Sequence, residues 1–526
     1  MKLRYFLYAI LLLLPYVFRD YTPDNELRYI SIIDEALENG SIFTFYNHGE
    51  VYADKPPLFF WLMMLSRALF GAHIFWIYGL LCVLPAIGII MVMNRWIQNE
   101  QPYSEHNPAG EMLLTTGIFL GATLVMRMDM MMTFFIVLSL YTFYRIYWRR
   151  SKPREKWLLP AYIFLAIFSK GPMGLLVPLV SILLYAAIQK GWKHLPRCFG
   201  WRQLLILLGL CAVWFGGIYW EGGREYLHNL LVHQTVGRGI NSFYHQEPFY
   251  FYIRTMPYTF APWTITYIVL LWAGFRQKEF VSNLEKYFIA IILSSLAMLS
   301  LVSSKLDVYL LPVFPFVVYL SVLQFDKISR WSIWMKVAIM LPYIAFALLF
   351  PCSSLVFKYI PFPIEESLGV LRLAMFLLML CSLLSIYLTY RGRHRQAILC
   401  SAVGWLLFTG VGSFGITQLN PYFGIKMMGT TALETARTNK IEQFAYYKFR
   451  PGEHLDIYLE QTPEKIESVT GIVDKANQTG YLLIVRDRER RRDSNLEVQI
   501  KNYQSLGRVG DYEFFNVPLL IRGEEE

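Results

Sequence analysis

Apolar runs long enough to cross a membrane recur along most of the chain, and they limit its fold more than any other feature. A crossing helix needs about 20 mostly apolar residues. Runs of that kind lie near 4–19, 74–94, 112–126, 130–148, 157–169, 172–189, 203–220, 256–274, 287–303, 306–323, 333–351, 369–389 and 397–416. Gly171-Pro172 breaks what would otherwise read as one long helix over 157–189. A soluble chain of 526 residues, 55% of them hydrophobic, would need several cores to hide this surface, whereas a polytopic membrane protein needs none. The expectation is therefore an all-α polytopic membrane domain of about thirteen transmembrane helices over residues 1–421. Lys2 and Arg4 precede the first run, and no small-x-small cleavage site follows it, so that run reads as an uncleaved helix.

Charge placement orients the map. With the N-terminus inside, the inner loops carry Arg145, Arg149, Arg150, Lys152, Arg154 and Lys156, then further Lys and Arg near 190–202, 276–286, 327–336 and 391–395. This is the positive-inside pattern, broken only by a weakly acidic stretch over 95–111. It assigns the net charge of +10 to membrane topology rather than to nucleic acid. The first outer loop, 20–73, is the reverse, with Asp20, Asp24, Glu26, Asp34, Glu35, Glu38, Glu50 and Asp54 outnumbering its basic residues. Within it, 24–39 has helical spacing with Gly40 as a stop, and 57–70 is apolar after Pro56-Pro57; both read as helices lying along the outer surface.

From about Tyr422 the composition turns polar, and 422–526 reads as a small extracytoplasmic α/β domain. Tyr481–Val485 and Asp511–Phe515 read as strands, 432–447 as a helix, and Arg486–Arg492 as a solvated surface. Six scattered cysteines without a CxxC pair imply neither a disulfide framework nor a zinc–cysteine site. No internal repeat is visible.

Unusual polar residues gather on one predicted face. They are Asp24, Glu26, Arg28, Asp54 and Lys55 in the first outer loop, Arg127 and Asp129 at a helix tip, and Lys170 after the fifth span. His233, Arg238, His245 and Glu247 follow the seventh span, and Lys305, Asp307 and Tyr309 join the ninth and tenth. Ionisable groups at a membrane boundary are costly to hold and point to function. Lys and Arg there suit an anionic phosphate, and carboxylates beside them suit activation of an acceptor hydroxyl. GxSxG, a nucleotide-phosphate loop and DxD are all absent from the sequence. An enzyme working at the outer face lacks cytoplasmic nucleotide sugars, so a lipid-carried donor fits.

Six motifs then resemble, in order over residues 1 to about 320, the membrane glycosyltransferases of the aminoarabinose-transferase and protein O-mannosyltransferase kind, nearest to the lipid A aminoarabinose transferases. They are Pro23-Asp-Asn-Glu-Leu-Arg-Tyr29, Tyr52-Ala-Asp-Lys-Pro56, Asp129, Ser169-Lys-Gly171, His233…Arg238…His245-Gln-Glu-Pro-Phe-Tyr-Phe-Tyr252, and Lys305 with Tyr309 ahead of Pro315. The resemblance implies the C-type glycosyltransferase fold (GT-C) and transfer of a sugar from a polyprenyl-phosphate donor to an extracytoplasmic acceptor: a lipid A-like lipid, a glycan or a protein. It implies a monomer in the bacterial inner membrane, surrounded by membrane lipids, with its active site on the periplasmic side. Asp24 or Glu26 would be the acceptor-side carboxylate, with Asp129 supporting the site. Arg28, Lys55, Lys170, His233, Arg238, Lys305 and Tyr309 would bind substrate. Asp54 and His245 would hold a divalent, zinc-like metal. The chain departs from the family twice. Asn25 separates Asp24 from Glu26, leaving open which is catalytic, and Asp54 is shorter than the family's Glu.

Each residue also has a plainer reading. Asp24 could cap the following helix, Lys55 could snorkel, and Arg127 with Asp129 could be a structural ion pair. Lys170 could complement a helix C-terminus, and both histidines could be structural. Two rival functions remain: a transporter or flippase for a lipid-linked sugar, and an assembly protein recruiting partners through its C-terminal domain. A transporter favours mid-membrane charges and repeated broken helices, against the one-sided pattern here.

Overall fold

The structure, a computed structural model, describes residues 2–100, 107–231, 246–276, 280, 282–328, 331–359 and 365–520. The chain divides into two compact units. The first comprises Met1–Val17, Glu35–Tyr359 and Gly369–Gly412, and the second Phe18–Asp34, Ile360–Leu368 and Ser413–Glu526.

Among its described residues, the first unit is helical apart from a hairpin of β1 (Tyr46–Asn47) and β2 (Glu50–Val51) and an isolated bridge between Gln246 and Ser304. Among the described residues, six helices are long and apolar enough to cross a membrane: Phe75–Glu100, Asp129–Tyr147, Trp201–Leu231, Asn283–Leu301, Leu368–Tyr390 and His394–Gly415. Shorter apolar helices, among them Leu3–Phe18, Met173–Ile188, Thr264–Arg276 and Ile333–Leu349, lie where the remaining runs were read. The run 112–126 is split into Ala109–Leu114 and Gly117–Leu124, because Thr115 and Thr116 turn their hydroxyls back onto the carbonyls of Glu111 and Met112. In the first outer loop, a π-turn over Pro23–Leu27 leads into Arg28–Asn39, which Gly40 ends at φ 69°.

Burial separates inner helices from peripheral ones. In Asp129–Tyr147, 72% of the apolar window is buried, against 11% in Trp201–Leu231. Asp129–Tyr147 therefore lies inside its unit, and the long helix Trp201–Leu231 presents its apolar surface outward. Inner packing is aromatic: Trp96, Tyr144, Tyr185 and Tyr287 form one cluster, with Tyr144 and Tyr287 stacked at 5.5 Å. Small residues set the close approaches. A Cβ on Gly174 would lie 2.2 Å from the backbone of Ala166, so the turn at Gly171-Pro172 folds two helices tightly together.

The second unit is an α/β fold. Its five-stranded sheet runs β4 (Glu464–Ile466), β3 (Phe444–Tyr447), β5 (Tyr481–Arg486), β7 (Tyr512–Val517), β6 (Gln504–Val509). β3 pairs in parallel with β4 and β5, while β7 is antiparallel to β5 and β6. Strand alternation feeds two cores. Phe444, Tyr446, Leu482, Ile484 and Phe514 pack on one face with the helix Lys426–Thr438. Ala445, Tyr447, Leu483, Val485 and Phe515 pack on the other with Val469–Ala476 and Ser494–Ile500. Leu27 of the first outer loop is fully buried in the former core.

One expectation is corrected. The helix read over 432–447 ends at Thr438, and Phe444–Tyr447 is the fully buried strand β3. Ala-rich spacing carries the helical pattern past its true end, but Lys440 turns the chain at φ 57°, and the aromatic run Phe444-Ala-Tyr-Tyr447 fits a pleated, buried strand.

Candidate active site

In the first unit the site is built around Asp129, which opens its helix and is completely buried. A buried carboxylate must be paired. Lys170 forms a salt bridge to its Oδ1, and Arg127 Nε donates to its Oδ2 at 3.2 Å. Lys170 is the last residue of the helix Glu155–Lys170, whose end at Gly171 (φ 94°) presents the ammonium to Asp129. The Lys170 ammonium also lies 4.8 Å from the centroid of the Tyr309 ring. Lys55 is near enough for its charge to act on Asp129, and Pro56 Cγ lies 4.0 Å from where a Cβ on Gly171 would stand. Four separate stretches of chain thus converge: Lys55, Arg127 with Asp129, Lys170 and Tyr309. Among the described residues, three cations bear on this one carboxylate, a cation-rich setting that suits a phosphate.

The loop bearing Asp54 and Lys55 is held by two residues that sequence reasoning missed. Glu221 accepts hydrogen bonds from the backbone N–H groups of Ile42 (3.0 Å), Phe43 (3.1 Å) and Thr44 (2.9 Å) and from the Thr44 hydroxyl (2.6 Å). The Tyr226 hydroxyl accepts from Phe45 N at 3.0 Å and donates to Tyr52 O at 3.0 Å. The available signal was an acidic residue directly after the apolar run ending at Trp220.

Lys305 and Asp307 have local roles. Lys305 is nearly fully buried, and its ammonium donates to the carbonyls of Glu247 (2.8 Å) and Val302 (2.6 Å). With the Glu247 N to Ser303 O bond of 3.3 Å, this fastens 246–247 to 302–305. Two of the three Lys305 N–H donors are thus taken by backbone carbonyls. Asp307 Oδ2 accepts from the Tyr258 hydroxyl at 2.7 Å. His233, Arg238 and His245 lie outside the described residues. Asp54 is half-buried, and among the described residues no group of three His, Cys, Asp or Glu side chains converges as a metal site would require.

Asp24, Glu26 and Arg28 belong to the second unit. Glu26 is fully buried. Arg19 grips it with two hydrogen bonds of 2.7 Å, and Thr22 N donates to its Oε2 at 2.7 Å. Arg28 caps the π-turn through its backbone N–H to Asn25 O. The N-cap of the turn is Thr22, whose side chain makes no capping bond; Asp24, two residues on, is exposed and lines a cavity of about 440 Å³ with residues of the C-terminal segment.

A family model described as dolichyl-phosphate-mannose-protein mannosyltransferase matches residues 54–220. An uncharacterised protein of Aquifex aeolicus is 26% identical over 64% of this chain and 67% of its own length. An undecaprenyl phosphate-alpha-4-amino-4-deoxy-L-arabinose arabinosyl transferase of Enterobacter sp. is 23% identical over 58% of this chain. The alignment spans 56% of that relative, so the chain matches little over half the length of such transferases. Among solved structures, ArnT from Cupriavidus metallidurans bound to undecaprenyl phosphate superposes with a TM-score of 0.75 at 16% identity, covering 100% of this chain and 99% of that one. At that identity the superposition establishes a shared fold.

Proposed function

We propose that this chain, which belongs to the superfamily of C-type-fold membrane glycosyltransferases containing the aminoarabinose transferases and protein O-mannosyltransferases, moves a sugar from a polyprenyl-phosphate donor to an extracytoplasmic acceptor. The observation that carries the reading is the cation-rich cluster around Asp129. Lys170 and Arg127 pair with one buried carboxylate and the charge of Lys55 acts on it as well, so cations from distant parts of the sequence gather where a departing phosphate would need them.

In the proposed reaction the acceptor hydroxyl loses its proton to Asp24, and the acceptor oxygen attacks the anomeric carbon. The bond from that carbon to the phosphate oxygen breaks, and polyprenyl phosphate leaves with the electron pair. A single displacement of this kind inverts the anomeric centre. Lys55 is our candidate for neutralising the charge that develops on the phosphate, while Asp129 fixes Lys170 and Arg127. Arg238, His233 and Tyr309 are proposed to complete the donor site, and the site is proposed to face the periplasm. Asp54 is the described member of the proposed metal pair, and its partner His245 lies outside the described residues. Metal analysis of purified protein decides whether Asp54 and His245 bind a metal ion.

The test is donor cleavage in detergent, followed by mass spectrometry with a panel of polyprenyl-phosphate sugars. The reading expects acceptor-dependent release of polyprenyl phosphate by the unaltered protein, slowed at least ~100-fold in Lys55→Met. Saturable donor binding with no cleavage of any donor would sink it in favour of a carrier of lipid-linked sugars.

A further inference from the structure

We propose that the cavity beside Asp24 is a binding site for an anionic saccharide, the polar head of the acceptor; this rests on the transfer reading above. The cavity measures about 440 Å³, a size usual for small-molecule sites. Five cationic side chains line it: Lys448, Arg450, Arg486, Arg488 and Arg492. Only Asp24 and Glu489 oppose them. The cations do not come from a single charged run. Lys448 and Arg450 follow β3, whereas Arg486 ends β5 and Arg488 and Arg492 belong to the next helix. The fold therefore gathers like charges whose mutual repulsion an anion would relieve.

Existing partners leave this charge largely unmet. Arg492 is 3.8 Å from Glu489, and Lys448 is 3.8 Å from Asp493, separations too long for strong pairing. Among the described residues, Arg450 and Arg488 have no ion-pair partner. Arg486 lies over the Tyr512 ring at 5.5 Å, and its buried Nε has no hydrogen-bond partner. An oxyanion in the cavity would supply acceptors for the guanidinium groups that line it.

The remaining lining distinguishes a sugar from a bare anion. Tyr422, Phe449 and Tyr512 provide aromatic surface for the apolar face of a pyranose. Asp24 would repel a phosphate or carboxylate but accept from a sugar hydroxyl. The charged group thus belongs among the arginines and the hydroxyls belong near Asp24.

The test uses the full chain in zwitterionic lipid nanodiscs, titrated by calorimetry with glucose 1-phosphate, glucuronate, inorganic phosphate and glucose. At least one charged sugar should bind more tightly than phosphate, with no detectable binding of glucose. Affinity should fall at least tenfold in the double variant Arg450→Ala/Arg488→Ala, whose positions are exposed, while the melting temperature and polyprenyl-phosphate binding stay unchanged. Arg488→Glu should weaken it further. Absence of saturable binding, equal binding of phosphate and charged sugars, or affinities unmoved by the variants would overturn the proposal. The transfer reading fails separately, by absence of donor cleavage in the unaltered protein.

Discussion

Arg19 holds Glu26 in a two-point clasp, both guanidinium nitrogens at 2.7 Å from the carboxylate oxygens, with the carboxylate fully buried. The two acidic residues separated by Asn25 thus have different surroundings: Glu26 is bound into the fold, and Asp24 opens onto a cavity. We take Asp24 as the acceptor-side carboxylate on this ground. Glu26→Ala would remove the buried carboxylate that Arg19 clasps, so it should cost about 3–5 kcal/mol. Asp24→Asn should change stability by no more than ~0.5 kcal/mol yet lower transfer at least ~100-fold. Thermal melts and transfer rates on both variants check the contrast. Equal destabilisation by the two would contradict it.

The Asp129–Lys170 pair gives a second contrast. Asp129→Asn leaves a buried ammonium without its counter-charge and should destabilise the protein by about 3–5 kcal/mol. The double variant Asp129→Leu/Lys170→Met removes both charges and should recover most of that stability. It should not recover transfer if the pair positions the donor phosphate. Recovery of activity along with stability would reduce the pair to a structural role.

Packing predicts opposite outcomes at two glycines. A Cβ at Gly174 would stand 2.2–2.4 Å from the backbone of Ala166 and Ile167, which cannot give way as a side chain can. Gly174→Ala should force the two helices apart and cost at least ~1 kcal/mol. Gly209, in Trp201–His228, has nothing within 4 Å of its Cβ position. Gly209→Ala should be neutral or stabilising by about 0.5–1 kcal/mol. Melting temperatures of the purified variants decide both.

Asp493 caps the helix Ser494–Ile500 by accepting from the N–H groups of Asn495 (3.2 Å) and Leu496 (3.3 Å), and it accepts from the Tyr447 hydroxyl at 2.8 Å. The Tyr447 hydroxyl, followed by these backbone bonds and the charge of Lys448, holds its carboxyl below the usual range. A lowered carboxyl contributes stability that is fully present above the unfolded value of about 3.9 and is lost as pH falls through the folded value. Asp493→Ala should therefore cost about 1 kcal/mol at pH 7, and melts should show the difference shrinking as pH drops below about 3.9.

Much of this was legible in the sequence, because lipid imposes a coarse rule on chain composition. Helices occupy the positions of the apolar runs, and Gly40 and Gly171 end helices where they were read to do so. Asp129 and Lys170, 41 residues apart, were both picked out as polar residues at span ends and prove to be partners. Contacts set by tertiary path were not legible. Nothing local marks Arg19 as the partner of Glu26, and Glu221 after Trp220 looks like an ordinary helix end although it holds residues 42–44. The basic run Arg486–Arg492 read as a solvated surface because its neighbours in the cavity, Lys448 and Arg450, come from another strand's end.

The most direct test of the central claim is a transfer assay with the unaltered protein and Asp24→Asn, using polyprenyl-phosphate sugars, an envelope-lipid extract as acceptor, and product detection by mass spectrometry. The account expects a new glycosylated acceptor and stoichiometric polyprenyl phosphate from the unaltered protein, and neither from a folded Asp24→Asn. No product with any donor, or full activity in Asp24→Asn, would contradict it.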